Sequence, residues 1–264
     1  MKKYELTNVI KIGQHGTTVH QIRACIKFTI NSNNVVEPGD IGGYIETENN
    51  LSHNGVAWVS DNAEVSGNAQ VSGDAWVFGE ARVSENAWIH GHAWVSGNAE
   101  VSGNARVFEN AWIHGLTRVF GNAEVSGNAQ VSGDAWVSDN AEVSGNAEVS
   151  GNAQVSGNAR VSDNARVSGG AWVCDGARVS GDAHVYGEAR VSGNAQVSGD
   201  AWVFEEARVS GNAEVSGDAW VFGEARVSGN AEVSGNAEVS GNADVFLATG
   251  DAFDLEKKTP HQIE

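Results

Sequence analysis

Proline, methionine and cysteine are scarce in this 264-residue sequence, with 2 Pro, 1 Met and 2 Cys. Cys25 and Cys174 lie far apart in unrelated contexts, so a disulfide-stapled scaffold is excluded and two free thiols in a reducing compartment are expected. No apolar run approaches membrane-spanning length, and Met1-Lys2-Lys3-Tyr4-Glu5 opens without the apolar core of a signal peptide. Those features lead us to expect a cytoplasmic protein with no membrane partner. Positive charge is short too: 16 Lys plus Arg face 34 Asp plus Glu, a net charge of −18. Between positions 57 and 248 there is no lysine at all. A basic nucleic-acid footprint is therefore missing, and direct nucleic-acid binding is not expected.

Glycine, by contrast, is plentiful, at 33 residues, and it recurs at fixed offsets. From Ala57 to Ala248 a six-residue unit, Ala-x-Val-Ser-Gly-Asn, repeats without an insertion, beginning Ala57-Trp58-Val59-Ser60-Asp61-Asn62 and ending Ala243-Asp244-Val245-Phe246-Leu247-Ala248. The first position is Ala except for Thr117, and the third is Val except for Ile89 and Ile113. Ala and Val, two apart, point to one side of a strand and suit a narrow dry interior. The residue between them points outward, and every Trp of the chain and every Arg of the repeats occupies that slot. Gly-Asn or Gly-Asp then turns the chain, because both residues tolerate positive φ. A four-residue strand and a two-residue corner make one side of a polygon. Residues 183–200, 201–218 and 219–236 are near-copies, so the larger period is eighteen, or three hexads. The expected fold is all-β: a triangular parallel β-helix of about ten to eleven coils, roughly 50 Å long at the usual spacing between strands.

Residues 1–44 do not follow the repeat. Tyr4–Ile12 and Thr17–Ile30 read as two strands around Gly13-Gln14-His15-Gly16, the second with a two-residue apolar period through Ile22, Ala24, Ile26, Phe28 and Ile30. Asn31–Asn34 reads as a polar loop and Pro38-Gly39-Asp40 as a turn. The register forms from Ile45 and Leu51, with Gly43–Val56 as a first coil carrying two extra residues. The open end of a solenoid exposes strand edges and apolar interior, so residues 1–44 are expected to form a hairpin-like cap. The division is then 1–44 cap, 45–248 solenoid, and 249–264 C-terminal cap and tail, with Phe246, Phe253 and Leu255 folded over the last coil.

Val-Ser-Gly-Asn-Ala-x resembles the hexapeptide repeat of the left-handed parallel β-helix superfamily, whose best-known members are bacterial acyltransferases. The lead-in Gly39-Asp40-Ile41-Gly42-Gly43-Tyr44-Ile45, with Asn50-Leu51-Ser52, is similar to uncharacterised bacterial and phage proteins of the YdcK-like type. The resemblance implies left-handed coils, a tendency to form trimers and, in the enzymes, coenzyme A bound between rods with a histidine as general base.

Two sets of residues are candidates for function. The first is histidine. His90 and His114 follow Ile89 and Ile113 in two matching stretches, Asn-Ala-Trp-Ile-His-Gly, while His92 and His184 complete the set within the repeats. A catalytic histidine needs an orienting partner and a cleft, and the loops that build that cleft in the resembled enzymes are absent from this uninterrupted repeat. The enzyme alternative is a coenzyme-A-dependent acyltransferase with His90 or His114 as base. The second set is aromatic. At eighteen residues per coil, Trp58, Trp76, Trp94 and Trp112 fall on one face, and Trp202 and Trp220 return to the same register. Phe78, Tyr186, Phe204 and Phe222 share it from the serine slot. Six of the nine Trp on one of three faces is twice the chance share. We therefore expect a non-catalytic structural or binding solenoid that presents an aromatic face for self-association, as a homotrimer, or for a protein or carbohydrate partner. Plain ladders that stabilise the sheet are the simpler reading.

Other classes fit less well. An acidic rod could mimic DNA, but these acids are interspersed with Arg rather than arrayed as two tracks. An ice-binding face would need a Thr array, and Thr117 is the lone Thr of the repeats. The calcium-binding nonapeptide pattern is absent, so no metal site is expected.

Overall fold

The computed structural model describes residues 2–13 and 16–247. The expected C-terminal cap at 249–264 and the central residues of the Gly13–Gly16 turn lie outside the described residues. The chain divides into two compact units, residues 1–134 and 135–264.

Both units are parallel β-solenoids with three short strands per eighteen-residue coil. In the first, the outward residues pair as Trp58↔Trp76, Trp76↔Trp94 and Trp94↔Trp112 on one sheet. Gln70↔Trp88 and Trp88↔Arg106 pair on a second, and Glu64↔Arg82 and Arg82↔Glu100 on the third. The second unit repeats the scheme, for example Gln154↔Trp172, Arg160↔Arg178 and Trp202↔Trp220. Counted in eighteen-residue turns, the repeats make about eleven coils. The strands are shorter than the hexad pattern suggests, two residues each, such as Trp58–Val59. Hydrogen bonding nevertheless runs the length of each side. The N–H groups of Trp58, Ser60 and Asn62 donate to the carbonyls of Ala75, Val77 and Gly79 one coil on, at 3.0, 2.9 and 2.9 Å.

The interior is the predicted one. The Ala and Val of nearly every hexad are fully buried, and Ile89 and Ile113 take the same inward place. Thr117, the single departure from Ala, is also fully buried. Its hydroxyl donates to the His114 carbonyl at 2.6 Å, so no buried polar group is left unsatisfied there.

Corners turn through the left-handed region, usually at Gly. Seven corners carry Asp or Glu at φ between 55° and 61°, among them Asp61, Glu85, Glu109, Asp139, Asp163 and Asp175. In each of those six the carboxylate accepts the N–H of the corner Gly one coil on, at 2.6–3.1 Å. A charge-assisted hydrogen bond of roughly 1.5–3 kcal/mol offsets a left-handed conformation costing an L-residue about 1–2 kcal/mol. Beside the turns, Asn68, Asn86, Asn104 and, through Asn104, Asn122 form an amide ladder at 2.9–3.0 Å.

The first unit begins with non-repeating strands. β1 (Tyr4–Ile12) and β2 (Thr18–Ala24) pair antiparallel, and β2 pairs antiparallel with β5 (Ile41–Ile45). β5 then runs parallel to Glu64–Val65 and spans both sides of the expected 44/45 boundary. The single strand expected over Thr17–Ile30 is instead two. After Ala24 the backbone turns to other partners: Ala24 N–H donates to Asp40 and Cys25 N–H to Lys3, both at 2.8 Å. β3 (Phe28–Asn31) then pairs with β4 (Asn34–Val36), which makes the expected polar loop a hairpin turn. The two extra residues of the first coil are visible in the register. Ile45↔Val65 and the bridge Leu51↔Val71 are offset by twenty, whereas Val59↔Val77 is offset by eighteen. The insertion therefore falls between Leu51 and Val59.

Candidate functional site

The aromatic residues are brought together, but not as one uniform strip. Trp58 is 3% exposed, because β3 lays the Phe28 ring against it at 5.3 Å and 70° and Tyr4 meets its edge at 6.5 Å. Trp58 is thus a core residue under the N-terminal strands, not part of a binding face. The repeat pattern could not show this, since the covering residues lie outside it.

In the first unit Trp76, Phe78, Trp94 and Trp112 remain at the surface. Trp76 stacks on Phe78 at 4.1 Å, while Trp76–Trp94 and Trp94–Trp112 meet edge to face at 5.7 and 6.2 Å and nearly perpendicular. Edge-to-face contact satisfies the ring quadrupoles. Two of the indoles are also tied to their own sheet: Trp76 Nε1 donates to Ser60 at 2.9 Å and Trp112 Nε1 to Ser96 at 3.5 Å.

The second unit arranges its rings in two columns. Tyr186, Phe204 and Phe222 stack in parallel with 5.0 Å between successive centroids and interplanar angles of 2° and 4°. Beside them His184, Trp202 and Trp220 stack at 4.6 and 5.7 Å. Trp220 is 43% exposed, and the others are half-buried. Burial, and then the nearby Arg166 guanidinium, depress the His184 pKa, which favours the neutral ring against Trp202.

The two histidines singled out as alternative bases are not brought together. They are 24 residues apart, not a multiple of eighteen, so they stand on different sheets. His90 lies flat on Phe108 at 5.1 Å and 3°, with Trp88 at 4.2 Å and the Arg106 guanidinium over both Trp88 and Phe108. Its Nε2 is buried without a hydrogen-bond partner, and burial followed by Arg106 lowers its pKa. His114 sits against Trp112 at 4.6 Å. Among the described residues no group of three or more His, Cys, Asp or Glu is placed to hold a metal ion, and no helix is long and apolar enough to cross a membrane.

Sequence reasoning missed Ile30, Asn31, Asp74 and Asn110, which join His92, Trp94 and Trp112 around a cleft of about 320 Å³ in the first unit. Trp94 and Trp112 line it together with Ile30 and Asn31 at the end of β3. The remaining lining is a column of corner residues one coil apart, Asp74, His92 and Asn110. His92 Nε2 lies 3.2 Å from Asp74 Oδ2. The signal was present in the sequence: positions 74, 92 and 110 are separated by eighteen, and the first two break the run of Asn at corners.

Four windows, residues 99–115, 153–169, 159–175 and 189–205, match the model of the YdcK beta solenoid repeat. No curated protein matches the chain. In sequence as in architecture, the chain is similar to YdcK-type β-solenoids.

Proposed function

We propose that this protein is a non-catalytic binding solenoid that self-associates through the aromatic surface of its second unit. The observation that carries the reading is the double column of His184, Tyr186, Trp202, Phe204, Trp220 and Phe222, whose rings stack within each column and meet edge to face between columns, at 85° for Tyr186–Trp202 and 79° for Phe204–Trp220. Aromatic side chains already packed against one another lose little entropy on docking and supply the large anchors on which interfaces depend. On this reading residues 1–44 act as a cap, and by the hexapeptide resemblance the coils are left-handed. The acyltransferase alternative is disfavoured at His90, whose Nε2 is buried with no group among the described residues placed to orient the ring as a general base.

Light scattering behind a sizing column tests the proposal. The wild type should elute at a multiple of 27.6 kDa, and the double variant Trp202→Gln/Trp220→Gln should elute as the monomer. A wild type that stays monomeric across concentration, or a variant of unchanged mass, overturns it. Calorimetry with acetyl-CoA should give no saturable heat.

A further inference from the structure

We infer that the cleft between β3 and the Trp94–Trp112 pair binds a neutral disaccharide of β-linked, gluco-configured pyranose rings. It deepens the binding role proposed above, but it rests on the first unit's cleft alone, and neither fails with the other. The argument starts from the two kinds of wall. Trp94 and Trp112 present indole surface from neighbouring coils, set nearly perpendicular at 6.2 Å. The Nε1–Ser96 hydrogen bond holds the Trp112 ring in place. Alongside runs a polar edge of carboxylate, imidazole and amide, Asp74, His92 and Asn110. The ligand that matches apolar floor and polar edge at once is a ring with C–H faces and a hydroxyl rim. Pyranoses with all-equatorial substituents meet that description on both faces.

Asp74 and Asn110 each hold a hydrogen-bond partner within the fold. Asp74 is held between the Val56 N–H, at 3.3 Å from one carboxylate oxygen, and His92 Nε2, at 3.2 Å from the other. Asn110 donates to Asn128 at 3.1 Å, which leaves its carbonyl side for a ligand hydroxyl. At the β3 rim the side-chain Oδ1 of Asn31 accepts the N–H of Asn33 and the side-chain amide of Asn34, at 3.0 and 2.9 Å, so that amide plane is set. A volume of about 320 Å³ is at the small end of ligand sites and accommodates two sugar rings. Net charge decides between neutral and acidic sugars: at −18 the chain repels uronates and sulfated or phosphorylated sugars.

Saturation-transfer NMR with cellobiose tests the inference, with sorbitol as a polyol lacking ring faces. We expect saturable transfer to cellobiose and none to sorbitol. Affinity should fall about tenfold in Trp112→Ala, the loss of one stacked aromatic contact, and by a smaller factor in Asp74→Asn, a surface change that leaves the fold intact. The Trp202→Gln/Trp220→Gln variant should bind cellobiose like the wild type. Absence of transfer to cellobiose, equal transfer to sorbitol, or undiminished binding in both cleft variants overturns the site.

Discussion

The fold's least expected residue is Lys3. It is 1% exposed, and its ammonium donates to the Ala57 carbonyl at 2.7 Å, with the Phe28 ring 5.7 Å away. Burial pushes its pKa down from the ordinary 10.5 to about 8, against a smaller upward pull from Asp74. A lysine lowered on folding costs stability while it must be charged in both states. Between about pH 8 and 10.5 the unfolded chain carries a proton that the folded chain has released, so stability rises with pH across that window. Urea unfolding midpoints should therefore increase from pH 8 to pH 10 in the wild type. In Lys3→Met that increase should be absent. A parallel rise in both proteins would place the effect elsewhere.

At the scale of the element, the join between β5 and the first coil leaves no room for a side chain at two glycines. A methyl group at Gly42 would come within 2.6 Å of the Val59 carbonyl and 2.7 Å of Trp58 Cζ2. At Gly43 it would come within 2.7 Å of the Ala63 carbonyl. These glycines are needed for close approach, not for a left-handed turn. Gly42→Ala should destabilise the fold by about 1–3 kcal/mol, the usual cost of overpacking, read from denaturant melts. By contrast, Gly39→Ala meets no neighbouring atom, so its cost is only the strain of φ 98°. The elements also show what could be read in advance. Period six placed the inward Ala and Val, and period eighteen placed Trp76 against Trp94 and Trp202 against Trp220. Both follow from backbone geometry that every hexad shares. Trp58 was misplaced because the residues that bury it, Tyr4 and Phe28, reach it through strands with no repeat to announce them. The His92–Asp74 pair was legible at the period of eighteen, but the neighbouring serine-slot histidines drew the chemistry to themselves. Which rings stack and which meet edge to face depends on side-chain torsions that periodicity does not carry.

Across the whole molecule, charge is the governing term. The ion pairs between coils, Arg106–Glu124 at 2.8 Å and Arg160–Glu142 at 3.2 Å among them, are largely exposed. Such pairs contribute little, about 0–1 kcal/mol each, and salt weakens them. Self-repulsion of a chain at −18 acts over all of its surface, and salt relieves it. We expect the second effect to win, so the thermal midpoint should rise between low salt and about 0.5 M sodium chloride, where the Debye length has shrunk to a few ångströms. A midpoint that falls would show that the inter-coil pairs dominate.

The twenty-residue offset of the first coil has a consequence for how the chain finds its fold. Inside the solenoid nearly every hexad offers the same Ala and Val methyl groups, Ile89, Ile113 and Thr117 apart, so a strand displaced by a whole turn meets an interior much like its own. The repeats alone are an alphabet of one letter, with many near-equivalent ways to wind. Val56 and its neighbours, the Lys3 bond to Ala57 and the Phe28 ring on Trp58 occur once each, and they act as an index mark from which winding can be counted.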